Sequence, residues 1–162
     1  MQIAIIADTH MPKGSRRLPD ACIERLRAAD AIVHAGDFTR AEVLRGLESY
    51  GGVLAVQGNV DDAELRALLP ERLTIDQGDI RLGVVHDSGP GRGRLERLRG
   101  WFPDAHAVIF GHSHIPLHEQ AQDGFQIFNP GSPTERRRAP RHTMGRACIG
   151  HGAVTFELIG LD

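Results

Sequence analysis

Five short apolar runs in this chain stop on the same kind of ending, a cluster of aspartate, asparagine or histidine. The runs are Gln2 to Ala7, Ala31 to Ala35, Val53 to Gln57, Ile80 to His86 and Ala107 to Phe110. Their endings are Asp8-Thr9-His10, His34-Ala35-Gly36-Asp37, Gly58-Asn59-Val60-Asp61, His86-Asp87 and Gly111-His112-Ser113-His114. Runs of this length, apolar at consecutive positions, read as strands covered on both faces. In an open α/β sheet, ligands bind beyond the carboxyl ends of the strands. Five separate segments are therefore expected to deliver oxygen and imidazole donors to one rim. Paired imidazoles such as His112 and His114 are poor packing groups for a strand-end turn but good metal ligands.

Between the first three strands lie helical patterns. Pro19 to Ala29 carries Ile23 and Leu26 on one face, and Arg40 to Tyr50 carries Val43, Leu44 and Leu47 before the closing Gly51-Gly52. Asp62 to Leu69 is a short helix stopped by Pro70. The first 70 residues thus alternate strand and helix, the signature of a parallel sheet. Further on, Arg72 to Asp76 and Ile80 to His86 read as strands joined at Gln77-Gly78, and Arg92 to Trp101 reads as a helix with a basic wet face. Leu117 to Ala121 and Phe125 to Phe128 form a hairpin about Asp123-Gly124, and Ala147 to Ile149 and Ala153 to Ile159 another about Gly150-His151-Gly152. The second half is expected to be strand-rich and largely antiparallel. No linker divides the chain, so residues 1–162 are expected to form one domain.

The formal net charge of −2 carries no global signal for nucleic acid. No apolar stretch reaches about 18 residues, which argues against a membrane span. The N-terminus has no basic segment before Asp8, so no signal peptide is expected. Cys22 and Cys148 form no CxxC pair or disulfide framework, which points to the reducing cytoplasm.

The donors make chemical sense as two sets. Asp8, His10, Asp37 and His114 could hold one divalent ion, and Asp37, Asn59, His86 and His112 a second, with the two oxygens of Asp37 bridging. Imidazole with carboxylate suits transition ions: Mn²⁺ is the first expectation, with Fe, Zn²⁺ or Ni²⁺ as alternatives to it. Two divalent ions outweigh the charge of Asp8 and Asp37, so the cluster attracts a phosphate and stabilises further negative charge in a transition state. Metal ions lower the pKa of water from 15.7 to about 7, and a pair about 3.5–4 Å apart can clamp an in-line displacement at phosphorus. The expected reaction is hydrolysis of a small phosphate ester by a metal-bridging hydroxide, with Asp37, Asn59 and His112 as its central residues. Asp37 is also placed to cap the helix that follows it. Asp61 is read either as a helix cap or as a support for the site. His34 is read as packed or supporting, and His106, His118, His142 and His151 as surface or structural.

Taken in order, Asp8-x-His10, Gly36-Asp37, Gly58-Asn59-x-Asp61, His86 and Gly111-His112-Ser113-His114 resemble the calcineurin-like metallophosphoesterases, and Asn129-Pro130-Gly131-Ser132 is similar to the small bacterial and archaeal phosphodiesterases of that superfamily. The resemblance runs from Ile3 to about Ile159. It implies an α/β fold, a four-layer α/β/β/α sandwich of two mixed β-sheets, with a dinuclear centre. Two positions depart from the commoner pattern. Val60 stands where many members carry a histidine that protonates the leaving group, and general acid catalysis is worth roughly 10²–10⁴ in rate. Asp87 stands where the family often has glycine. The loss of an acid at Val60 favours phosphodiester cleavage over protein phosphatase activity. Two alternatives stay open: a scaffold on the same fold, as in the retromer subunit that resembles this family, and a nuclease for short oligonucleotides. No membrane or dedicated nucleic-acid partner is expected, and a homo-oligomer is compatible with the chain.

Overall fold

The computed structural model describes residues 1–162. In chain order the elements are β1 (Gln2–Ile6), α1 (Asp20–Ala28), β2 (Ala31–His34), α2 (Ala41–Glu48), β3 (Val53–Ala55), α3 (Ala63–Leu68), β4 (Arg72–Gln77), β5 (Ile80–Val85), α4 (Arg94–Trp101), β6 (Ala107–Ile109), β7 (Leu117–Gln120), β8 (Gln126–Asn129), β9 (Thr143–Gly150) and β10 (Ala153–Gly160). They form two five-stranded sheets, ordered β10-β9-β1-β2-β3 and β4-β5-β6-β8-β7.

The apolar runs are continuous because both faces of each central strand are covered. Ile3, Ile5 and Ala7 of the first strand, with Val33, pack against Leu82, Val84, Ala107 and Ile109 of the other sheet. The alternate residues Ala4, Ile6 and Ile32 face outward onto Cys22 and Leu26 of α1, Leu44 and Leu47 of α2, and Leu65 of α3. On the far side Val85, Val108 and Phe110 meet Leu98 of α4 and the adjoining Phe102. A period of two along each strand therefore divides the side chains among three cores, and the layers run α/β/β/α. No helix is long and apolar enough to cross a membrane. The cysteines are unpaired, Cys22 on the buried face of α1 and Cys148 exposed.

Strands β1, β2 and β3 are parallel, as their alternation with helices predicts. The second half is largely antiparallel, as expected, with a parallel centre that its turn signals do not foretell. Strands β5, β6 and β8 run parallel, while β4 and β7 pair antiparallel at the edges of this sheet and the β9–β10 hairpin joins the other sheet through an antiparallel β9–β1 pair. Helix α4 supplies the crossover that a parallel β5–β6 pair requires.

Strand β9 also starts four residues earlier than its sequence pattern implies. Gly145 lies inside it, paired with Ile5 and Leu158. A β-carbon there would run into the Phe128 ring and stand 3.3 Å from the Ile5 β-carbon. The residue that disguises the strand is the one that lets the two sheets close. Gly145→Ala should lower stability to urea by about 1–3 kcal/mol through overpacking. Gly150→Ala in the same strand, where nothing lies within 4 Å, should shift it by less than about 0.5 kcal/mol. Equal effects of the two changes would show that this contact does not limit packing.

Candidate metal centre

The five polar endings gather at one rim, drawn from both sheets. Strands β1, β2 and β3 bring in Asp8, His10, Asp37 and Asn59, while β5 and β6 bring in His86, His112 and His114. Asp8, His10 and His114 present ligand atoms within 4.8 Å of one another, and so do Asp37, His86 and His112. Asn59 belongs with the second group: its Oδ1 lies 3.0 Å from His86 Nε2 and 3.1 Å from His112 Nδ1. Asp37 stands between the groups, with Oδ2 at 3.4 Å from His10 Nε2 and 3.2 Å from His86 Nε2. All seven sequence-derived candidates are thus brought together, in the two sets that their chemistry implied. Only His112 and Asn59 are exposed; the other five are buried.

The backbone is bent to aim these groups. Asp8, His10, Asp37, His112 and His114 all have positive φ, between 46° and 70°, a region that side chains other than glycine seldom adopt and that clusters at functional sites. Glycines in these turns also give clearance, and Gly36 itself has a positive φ of 91°. A β-carbon on Gly58 would overlap the Asp37 carboxylate, and one on Gly36 would stand 2.7 Å from His86 Nδ1.

The outer nitrogens of the imidazoles are committed. His86 Nδ1 donates to the Ala35 carbonyl at 2.7 Å and His114 Nδ1 to the Glu135 carbonyl at 2.6 Å, which turns both Nε2 lone pairs inward. Asp8 Oδ2, His10 Nε2 and His114 Nε2 are buried without a hydrogen-bond partner. Buried polar atoms left unpaired are expensive. Three of them converging in one group, each a metal ligand once deprotonated, fit a cation.

Electrostatics point the same way. Burial works against charge on His10, but the facing carboxylates of Asp37 and Asp8 outweigh it and raise the imidazole to about 9. Burial likewise opposes charge on Asp37, yet His10 and His86 hold it well below the usual carboxylate range. His86 is raised, burial being overcome by Asp37 and Asp8, whereas His114 is lowered, chiefly by burial. The pocket stabilises positive charge that, without a metal, only protons can supply.

Residues beneath the rim hold its loops in register. Asp61 accepts the Gly58 N–H at 2.7 Å and the Thr39 N–H at 2.8 Å, so it ties the Asn59 turn to the Asp37 turn. It is a site support rather than a helix cap. The cap is its neighbour Asp62, which accepts from Leu65 at the start of α3 and from Ala41 at the start of α2. Asp37 caps neither helix. His34 is fully buried, stacked on Phe38 at 3.5 Å, accepts from Gly36 N–H and donates to Thr9 Oγ1. Burial lowers it to about 3, so it stays neutral. Asn129 donates to the Gly111 carbonyl and Ser132 to the Asp8 carbonyl.

Sequence reasoning missed Glu135 and Arg16. Glu135 Oε2 lies 3.7 Å from His10 Nδ1 while its carbonyl holds His114, and Arg16 pins the carboxylate at 2.9 Å. The one available signal is Ser132, whose Oγ accepts from the Glu135 N–H. Asp87 is exposed, with its carboxylate accepting from Gly89 N–H.

A family model described as the calcineurin-like phosphoesterase superfamily domain matches residues 1–151. The chain belongs to the calcineurin-like phosphoesterase superfamily. Among its relatives, a "Probable metallophosphoesterase" of Methanothermobacter thermautotrophicus is 34% identical over 139 residues, 85% of this chain and 80% of the relative. A protein of the same designation from Methanocaldococcus jannaschii is 36% identical over 140 residues, 85% of this chain and 70% of the relative. The crystal structure of wild-type Vps29 complexed with zinc, from Entamoeba histolytica, superposes with a TM-score of 0.78 at 22% identity, covering 100% of both chains. That last likeness is one of fold. It spans the whole sandwich.

Cation uptake at the rim must displace the proton on His10. In the metal-free protein, the raised pKa of His10 contributes stability that is complete below about 6.5 and fades as pH rises through 9. Affinity for Mn²⁺ should move the opposite way, strengthening by at least about tenfold per pH unit between pH 6 and 8 as the proton on His10, and any held by His86, is released. Calorimetric titration across that range checks both the slope and the proton count. A flat profile would remove His10 from the centre.

Proposed function

We propose that the chain is a divalent-metal-dependent phosphodiesterase acting on a small phosphate ester, in which Asp8, His10, Asp37 and His114 hold one ion and Asp37, Asn59, His86 and His112 the second. The observation that carries this reading is the position of Asp37 Oδ2, within 3.4 Å of imidazole nitrogens from both donor groups. When bound, a pair of transition ions, Mn²⁺ first and Fe, Zn²⁺ or Ni²⁺ in its place, supplies positive charge that acidifies water and offsets the charge of a phosphoryl transition state.

The protein's own groups do the rest. Asp37 joins the two halves of the centre, and the Val60 N–H at 3.0 Å from its Oδ1 fixes the plane of the carboxylate. Asn59 adds a neutral oxygen, so the second half keeps more positive charge than a third carboxylate would leave. His112 and Asn59, exposed at the mouth, are the members an incoming ester meets first. The Val60 side chain is exposed at the same mouth and has no proton to give. Esters with good leaving groups are therefore favoured, and among natural esters diesters of acidic alcohols over phosphoproteins. We place the enzyme in the cytoplasm, consistent with its unpaired cysteines.

A scaffold reading draws on the full-length likeness to Vps29 and on Val60. Against it stand the buried, unpartnered donors of Asp8, His10 and His114, which a partner-binding surface has no reason to maintain.

Hydrolysis of bis(p-nitrophenyl) phosphate with Mn²⁺ decides the matter. Asp37→Asn should lower kcat/KM at least about 100-fold, since even the groups that merely orient ligands are worth 10–100-fold. Circular dichroism should show the variant folded. Equal turnover by the two proteins would overturn the reading.

A further inference from the structure

A groove of about 430 Å³ opens beside the second donor group, a volume within the range of small-molecule sites. Asn59 and His86 line both the groove and the donor group, so the two are continuous. The other walls include Arg66 of α3, Glu71 and Arg72 at the start of β4, Asp87, and Trp101 at the end of α4. Two arginines face two carboxylates there, so the groove is not an anion trap.

Its distinctive feature is a guanidinium held over an aromatic ring. The Arg72 guanidinium carbon sits 4.2 Å from the centroid of the Trp101 ring. Trp101 is half-buried against the apolar layer under α4, while Arg72 is exposed. Arg45, Arg81, Arg99 and Arg146 are each paired with a carboxylate; Arg72 instead lies on the indole. Arg66 donates to the backbone carbonyls of Asp61 and Asn59 at 2.9 and 2.8 Å, which fixes it against the site loop with its charge unspent.

A guanidinium stacked on an aromatic ring is held rigid, and its free face can receive a planar, π-rich ring. Glu71 and Asp87 add acceptors for the N–H and O–H groups at the edge of such a ring or its sugar. A flat ring with a polar edge, joined by a short linker to a phosphate at Asn59 and His86, describes a nucleoside phosphate ester. We propose that this groove receives the nucleoside half of a phosphodiester whose phosphate lies at the donor cluster, with Arg72 on Trp101 as the stacking platform. The inference rests on the phosphoesterase reading for its reaction, but the groove can be tested without turnover.

Trp101 is the only tryptophan, so its fluorescence reports on the platform. Adenosine 5′-monophosphate should change its emission saturably and bind at least about tenfold more tightly than ribose 5-phosphate, as loss of a single base stack implies. Arg72→Leu should weaken the adenosine monophosphate titration about tenfold and leave ribose 5-phosphate competition unchanged. Arg72→Lys, which keeps the charge and loses the plane, should behave like Arg72→Leu. In turnover with Mn²⁺, Arg72→Leu should raise KM for thymidine 5′-(p-nitrophenyl phosphate) with kcat kept, and should not alter methyl p-nitrophenyl phosphate. Equal binding of the two monophosphates, no saturable change in emission, or rescue by lysine would overturn the proposal. If both p-nitrophenyl esters prove inert while the fluorescence pattern holds, the phosphoesterase reading fails and the nucleoside groove stands.

Discussion

A carboxylate taken out of water must find compensating charge or hydrogen bonds, and Asp37, 2% exposed, finds both. It takes the Val60 N–H on one oxygen and lies between two imidazoles on the other. Its left-handed backbone, with φ of 62°, turns the side chain into the rim, and Gly58 leaves the space that it fills. Asp61 then links the turn carrying Asp37 to the turn carrying Asn59. Remove that buried anion and the imidazoles from β1 and β5 have no common partner, so the two halves of the rim lose what joins them.

The rest of the fold is a device for keeping those halves at a fixed separation. Donors from β1 to β3 belong to one sheet and donors from β5 and β6 to the other, and the distance between them is set by the core that the sheets share. Close-packed interiors deform little, so a rim mounted on such a core is stiff. That stiffness also keeps five ligand-bearing residues at positive φ, each a strain of order 1–3 kcal/mol that surrounding structure must over-determine. The Ser132 to Glu135 segment does part of this work, bonding to the carbonyls of Asp8 and Thr9 and to His114.

What could be read from the chain was what is local along it. An apolar run followed by aspartate, asparagine or histidine states both a strand and the donors at its end, and all five such endings reached the rim. The four layers rested on the family resemblance, and the three cores that alternate along β1, β5 and β6 account for them physically. Non-local pairing was not legible. The parallel β5-β6-β8 arrangement depends on contacts made across α4 and across the β7 turn, and hairpin-like turn signals at Asp123-Gly124 say nothing of the second neighbour a strand will take. Gly145 hid half of β9 because its need is a neighbour's ring rather than a bend. Asp61 and Asp62 are equivalent on paper, and only three-dimensional placement makes one a support and the other a double cap. Glu135 and Arg16 belong to no motif themselves, and only the folded chain brings the Glu135 carboxylate to His10 and Arg16 to that carboxylate.

Crystals of the protein soaked in Mn²⁺ and measured at the manganese absorption edge would locate the ions by anomalous scattering. Two peaks about 3.5–4 Å apart, on either side of the Asp37 carboxylate and each beside one of the two donor groups, are expected. A single peak, or peaks that avoid Asp37, would contradict the paired centre on which the proposed chemistry stands.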